Sequence, residues 1–186
     1  GSETGGVAIQ NRGTLGGNII NASPAADSPP ALMVYEAELI LVSSKGERVV
    51  RLADFYSDYK KMDLRQGELL KSIRIPRIQS EAIHYYRKVG TRKAQAISKV
   101  VFSGFATSSG KKIETIRIAV GSVAPMTIRC PKTEAILVGQ LVTEELTSKA
   151  AEEFDREIAP IDDVRSTMEF RNQVAVNVLK EFLREL

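Results

Sequence analysis

One cysteine, one histidine and no tryptophan stand among the 186 residues. A lone Cys130 excludes an intrachain disulfide framework, and any cysteine-rich zinc or iron–sulfur site built from this chain alone. With His84 the only histidine, a histidine-based metal cluster is excluded as well. The free thiol suits a reducing compartment, the cytoplasm. No apolar run approaches the ~18 residues of a membrane span. The opening Gly1-Ser2-Glu3-Thr4-Gly5-Gly6 has neither the basic nor the apolar region of a signal peptide. It also lacks a Met, so the chain reads as a piece of a longer polypeptide. Internal repeats and low-complexity tracts are absent.

What is present is ordinary globular material: 43% hydrophobic and 26% charged residues in 20.4 kDa, enough for one compact domain or two small ones. The net charge of +3 hides an uneven distribution. Residues 1–70 hold 7 Lys/Arg against 9 Asp/Glu, residues 71–132 hold 13 against 2, and residues 133–186 hold 6 against 12. A basic middle can attract a phosphate, a dinucleotide, nucleic acid or an acidic protein surface; it can also simply pair with the acidic tail.

The first thirty residues, dense in Gly, Asn, Ser, Ala and Pro, read as a long ordered loop. A short helix is predicted over Pro29–Tyr35, where its prolines are tolerated. Glu38–Val42 and Arg48–Leu52 around a glycine-bearing turn form a β-hairpin, and Leu69–Ile75 is a further strand ended by Pro76. Three more strands follow: His84–Val89, Lys99–Thr107 and Ile113–Val123, the last two joined at Ser108-Ser109-Gly110-Lys111. After Pro131 the period turns helical over Thr133–Val138, Thr143–Glu157 and Asp163–Leu186. In the last, Phe170, Val174, Val178, Phe182 and Leu186 recur every fourth residue. Strands and helices are segregated, which predicts an α+β fold: an antiparallel-sheet lobe over residues 1–79, then a C-terminal lobe over 80–186 with a three-stranded antiparallel sheet and helices.

The informative stretch is Asn11-Arg12-Gly13-Thr14-Leu15-Gly16-Gly17-Asn18, followed by Ala22-Ser23-Pro24 and Asp27-Ser28-Pro29-Pro30. Gly16-Gly17 lets backbone approach a ligand closely. Thr14, Asn18 and Ser23 offer short polar groups beside it, and Asp27 an acceptor suited to a hydroxyl. Asp27 could equally cap the Pro29 helix. This order of residues resembles the second flavin-binding motif of the FAD-binding (medium) subunits of the molybdenum hydroxylases, of xanthine dehydrogenase and carbon monoxide dehydrogenase type. The likeness continues through Asp54-Phe55-Tyr56, Tyr59-Lys60-Lys61, Glu68-Leu69-Leu70, Ile73-Arg74-Ile75-Pro76, Arg87-Lys88-Val89-Gly90-Thr91-Arg92, Gln95-Ala96-Ile97-Ser98-Lys99-Val100, Asp163-Val164-Arg165 and Phe170-Arg171.

The resemblance implies an oxidoreductase subunit that binds FAD and carries no substrate chemistry of its own. Electrons pass from [2Fe–2S] clusters through FAD to NAD or another acceptor. The molybdopterin belongs to a large partner subunit and the clusters to a small one. It implies cofactor contacts from Thr14, Leu15, Gly16, Gly17, Asn18, Ser23 and Asp27, an apolar contact from Leu70 near the flavin ring, and a lysine beside that ring at Lys88. No catalytic residue and no metal ligand is assigned. The family's other flavin motif, a glycine-rich pyrophosphate loop, has no counterpart in this sequence, so the chain is expected to be the C-terminal portion of a longer subunit. Alone it should fold, be inactive and retain little FAD. The reading from a different class is an assembly lobe that docks partner subunits without flavin. Tyr85 and Tyr86 beside Arg87 and Lys88 could stack on single-stranded nucleic acid, but few aromatics and the flavin motif argue against a nucleic-acid partner. Cys130 and His84 read as structural.

Overall fold

The computed structural model describes residues 4–78, 81–92, 95–110 and 112–186. The expected lobe boundary at Pro76–Glu81 and the turn through Lys111 therefore fall partly outside the described residues, as does the start of the chain.

Three short helices stand in the stretch where a long loop is expected. After a single turn, α1 (Val7–Gln10), comes α2 (Leu15–Ile20), then α3 (Ser28–Val34). Thr14 starts α2 because its Oγ1 accepts the Gly17 N–H at 2.9 Å, satisfying a donor that the helix end leaves bare. The glycine pair thus lies in the first turn of a helix. Ile19, fully buried, anchors α2, and the Tyr56 hydroxyl donates to its carbonyl at 3.0 Å. Burial pushes that hydroxyl's pKa far up, so it remains a donor.

The hairpin is present as β1 (Glu38–Ser43) and β2 (Gly46–Arg51), followed by one turn, α4 (Leu52–Phe55), and a small pair, β3 (Tyr56–Asp58) and β4 (Lys61–Met62). β5 (Leu69–Arg74) returns antiparallel to β1, giving the order β2-β1-β5. The second sheet has four strands rather than three: β6 (Ile83–Val89), β7 (Val100–Ser109), β8 (Lys112–Gly121) and β9 (Ile128–Arg129), all antiparallel in that order. β9 adds only two residues to the edge, pairing Ala119 with Arg129 and Val120 with Ile128.

The residues of β7 are buried without a break from Val100 to Ala106 because both faces of this sheet are covered. Val100, Phe102 and Ala106, with Ile118 and Val120 of β8, face the three C-terminal helices, α5 (Pro131–Leu137), α6 (Glu144–Glu157) and α7 (Met168–Arg184). Phe105 and Ala119 face the other way and join the core of Leu32, Met33, Leu39, Leu41 and Phe55. α7 begins five residues later than the expected Asp163. The Asp163 side chain accepts the N–H groups of Arg165 and Ser166 and closes a turn, and Thr167 then caps the helix.

The second sheet also grips the C-terminal end of α3. Arg117 and Arg129 donate to the Val34 and Met33 carbonyls, each at 3.3 Å, where a helix C-terminus favours cations. Both guanidiniums also pair with Glu36 at 3.5 Å. Among the described ion pairs of the basic middle segment, most partners belong to the first lobe: Asp27, Glu36, Glu38 and Glu47. Among the ion pairs of the described residues, Glu134 joins in from the acidic tail, bound to Arg129 at 2.8 Å.

Candidate functional site

A cleft of about 750 Å³ opens between the N-terminal helices and β6. Thr14, Leu15, Asn18, Asp27 and Lys88 line it together, with Tyr86 and Ser28. These residues come from three separate stretches, and α3 and β6 bring them to one place. Gly16 and Gly17 stand in the adjoining turn of α2. Leu70 approaches from β5: a Cβ built on Gly16 would lie 3.6 Å from its Cδ2. Ser23 is the exception, since it lines a different cavity.

At the back of the cleft Asp27 is the hub. It occupies the N-cap position of α3 yet makes no side-chain cap bond, so the capping role expected of its carboxylate is not the one it performs. Its Oδ2 receives Lys88 Nζ at 2.5 Å and its Oδ1 the Ser98 hydroxyl at 2.6 Å, while the Tyr86 hydroxyl donates to its backbone carbonyl at 3.0 Å. Lys88 and Asp27 side chains are each 11% exposed, so Lys88 is no solvated strand lysine. Buried charge needs such pairing, and losing either partner would strand the other. Ser28 donates to Asn18 Oδ1 at 2.5 Å, which leaves the Asn18 amide N–H₂ without a partner among the described residues.

Sequence reasoning did not single out Ser98 or Ser28, and it weighed Tyr86 only for a nucleic-acid role that it argued against. For Tyr86 a signal existed: it lies two residues before Lys88 on one strand, so both point to the same face. Ser98 offers no such pattern. Tyr85 points the opposite way, into the aromatic cluster with Phe102 and Phe182 at 5.8 and 5.5 Å, so the two tyrosines form no stacking platform for nucleic acid. His84 Nδ1 lies 2.9 Å from the Tyr35 hydroxyl, and the buried Cys130 thiol has its pKa pushed well up by burial; neither faces the cleft. Among the described residues no cluster of three His, Cys, Asp or Glu could hold a metal, and no helix is long and apolar enough to cross a membrane.

The cleft's fit to a flavin dinucleotide rests on its donors and on Gly16. Leu15 and Gly16 precede Asn18, the first residue of α2 whose N–H finds an acceptor four residues back (the Thr14 carbonyl, 3.0 Å), so their own N–H groups have no partner within the helix and leave its end, near the Thr14 hydroxyl and the Asn18 amide. Gly16 has no positive φ, and a Cβ there makes only ordinary contacts. Neither backbone nor packing within the chain therefore demands glycine, although glycine in a helix costs ~0.5–1 kcal/mol relative to alanine. A ligand approaching the backbone would demand it.

Comparison with known proteins agrees with this chemistry. Residues 2–78 match a family described as the FAD binding domain in molybdopterin dehydrogenase, and residues 84–186 one described as the CO dehydrogenase flavoprotein C-terminal domain. The glyceraldehyde dehydrogenase medium chain of Sulfolobus acidocaldarius is 30% identical over 96% of this chain and 63% of its own length. An Escherichia coli xanthine dehydrogenase FAD-binding subunit is 27% identical over 99% of this chain and 63% of its own. The solved carbon monoxide dehydrogenase of Hydrogenophaga pseudoflava superposes with a TM-score of 0.92 at 26% identity, covering 98% of this chain and 63% of that one. The chain thus spans somewhat over three fifths of the curated relatives it matches.

Proposed function

This chain belongs to the FAD-binding flavoprotein family of the carbon monoxide and xanthine dehydrogenases, and we propose that it is the flavin-holding electron-transfer part of a molybdopterin-dependent hydroxylase or dehydrogenase. The observation that carries this reading is the cleft in which Thr14, Asn18, Asp27 and Lys88 meet beside a glycine that the chain itself does not require. An assembly lobe without flavin gives no reason for that glycine. FAD, when bound, accepts electrons from [2Fe–2S] clusters on one partner subunit and passes them to NAD or another acceptor, while a molybdopterin subunit performs the substrate chemistry.

The chain's own residues have distinct tasks in this proposal. The N–H groups of Leu15 and Gly16, the Thr14 hydroxyl and the Asn18 amide bind the polar part of the cofactor. Ser28 holds Asn18 with its N–H₂ turned outward. Leu70 supplies an apolar contact next to Gly16. Asp27, fixed by Ser98, holds Lys88 in place at the cleft wall, and the Lys88 ammonium opposes negative charge gathering on the flavin.

Lys88→Met tests this arrangement. The variant changes the Lys88–Asp27 pair from net zero to −1, so added negative charge on the cofactor becomes less favourable. The flavin midpoint potential should fall, by ~30 mV for each ~1.4 kcal/mol in a two-electron couple. Spectroelectrochemical titration of the flavin-loaded subunit reads it directly. An unchanged midpoint would remove Lys88 from the flavin's surroundings.

A further inference from the structure

Behind the Asp27–Ser98 contact lies a second cavity, of about 540 Å³, that plays no part in the flavin reading and contains the outlying Ser23. Its charges are Lys60, Arg165 and Arg171 against a single carboxylate, Asp163. Arg171 is 3% exposed; it donates to the Lys99 and Ser122 carbonyls at 2.9 and 3.1 Å and to Asp163 at 2.7 Å, yet its Nε–H is buried with no partner. Burial pushes the Asp163 pKa up. The Arg165 N–H, Arg171 and the Ser166 N–H more than offset this and hold it below the usual range, so Asp163 stays ionised. Among the described residues Lys60 donates to Asn21 alone, at 2.6 and 3.1 Å. Arg165 reaches Asp163 at 3.4 Å, which leaves most of its guanidinium donors without a partner among the described residues. The cavity therefore has more positive charge and more donors than its own walls can satisfy.

The rim is apolar. Tyr59, Ile97 and Ile161 line the cavity and are exposed, and Val164 is 98% exposed. Val164 is held there firmly: Asp163 and Ser166 exchange backbone bonds at 3.0 and 3.3 Å around it, and the Asp163 carboxylate accepts the Arg165 N–H and shares that of Ser166. Single exposed apolar side chains are commonplace, but an aromatic and aliphatic ring around under-satisfied arginines has the anatomy of a protein interface. A small free anion would use the charges and leave the ring without a role.

We infer that this cavity is a socket for a partner polypeptide, which inserts an Asp, Glu or C-terminal carboxylate beside Lys60 and Arg165 and covers Tyr59, Ile97, Ile161 and Val164 with flanking apolar side chains. The inference rests on the proposed function in one respect, that the chain works among other subunits. The test uses the flavoprotein subunit produced with its iron–sulfur and molybdopterin subunits, with association measured by sedimentation at low and high salt. Arg165→Glu and Val164→Asp, both surface changes, should each weaken association tenfold or more while flavin content and melting temperature hold. Arg165→Glu should also flatten the salt dependence. Lys45→Glu, on the distant β1–β2 turn, should associate normally. Normal association of both cavity variants overturns the inference, as does equal weakening by Lys45→Glu. A wild-type subunit that fails to associate at all overturns the multi-subunit reading, and the inference falls with it.

Discussion

Replacing Gly104 with valine should destabilise the chain by ~3 kcal/mol or more, lowering its melting temperature by ~6–12 °C for a protein of this size. Gly104 sits in the middle of β7, paired with Tyr85 on β6 and Ile118 on β8. A Cβ there would lie 2.7–2.8 Å from three ring atoms of Phe182. That ring has nowhere to go. It is fully buried on α7, with Phe102 at 5.7 Å and Tyr85 at 5.5 Å between centroids. The strand would gain from losing a glycine, but by at most ~1 kcal/mol, so overpacking decides the sign. The helix must lift from the sheet or the ring must leave its rotamer. Adding Phe182→Ala to Gly104→Val should recover part of the loss, because the clash is with that one ring; each alone should destabilise, and the double-mutant cycle should show strong coupling. Urea denaturation midpoints measure all four proteins. An unchanged midpoint for Gly104→Val would mean that α7 does not press on β7 as described.

Residues like these mark the limit of what local pattern can show. The fourfold row of α7 correctly points Val178 and Phe182 into the core, yet Phe170 at the head of the same row is exposed, with Lys99 4.9 Å above its ring. Periodicity finds a face but not where the neighbouring sheet ends. The hairpin, β5 and the strands of the second sheet were legible because alternation and turn residues agree along each of them. The edge strand β9 was not, since two residues carry no period. α2 was hidden by its glycines, which count against a helix until the Thr14 cap is recognised. At the candidate site the flavin motif itself was visible as a family resemblance. The hub around Asp27 was not, because Lys88 and Ser98 lie 61 and 71 residues away and only the packing of α3 on the second sheet unites them.

Gly16→Ala should make the chain more stable and a worse flavin binder at once. Among the described residues nothing opposes the added methyl: its nearest neighbours would be Leu70 Cδ2 at 3.6 Å and Thr14 Oγ1 at 4.0 Å, both ordinary contacts. Alanine in place of a helical glycine is worth ~0.5–1 kcal/mol. Gly17 and Gly13 are less clean probes, because a Cβ would press on Thr14 Oγ1 at 3.1 Å or on the Ile9 carbonyl at 2.9 Å and disturb the fold directly. Since no other atom of the described residues lies within 4 Å, what the methyl at Gly16 would meet in this account is a ligand on the open side of α2. If that ligand is FAD, its dissociation constant should rise at least tenfold, ~1.4 kcal/mol. The decisive measurement is a flavin-fluorescence titration of the apo-flavoprotein subunit with FAD, wild type beside Gly16→Ala, together with the urea midpoint of each. A raised midpoint with FAD binding weakened tenfold or more is the predicted result; FAD binding unchanged in an equally or more stable Gly16→Ala subunit would contradict the placement of the cofactor on this loop.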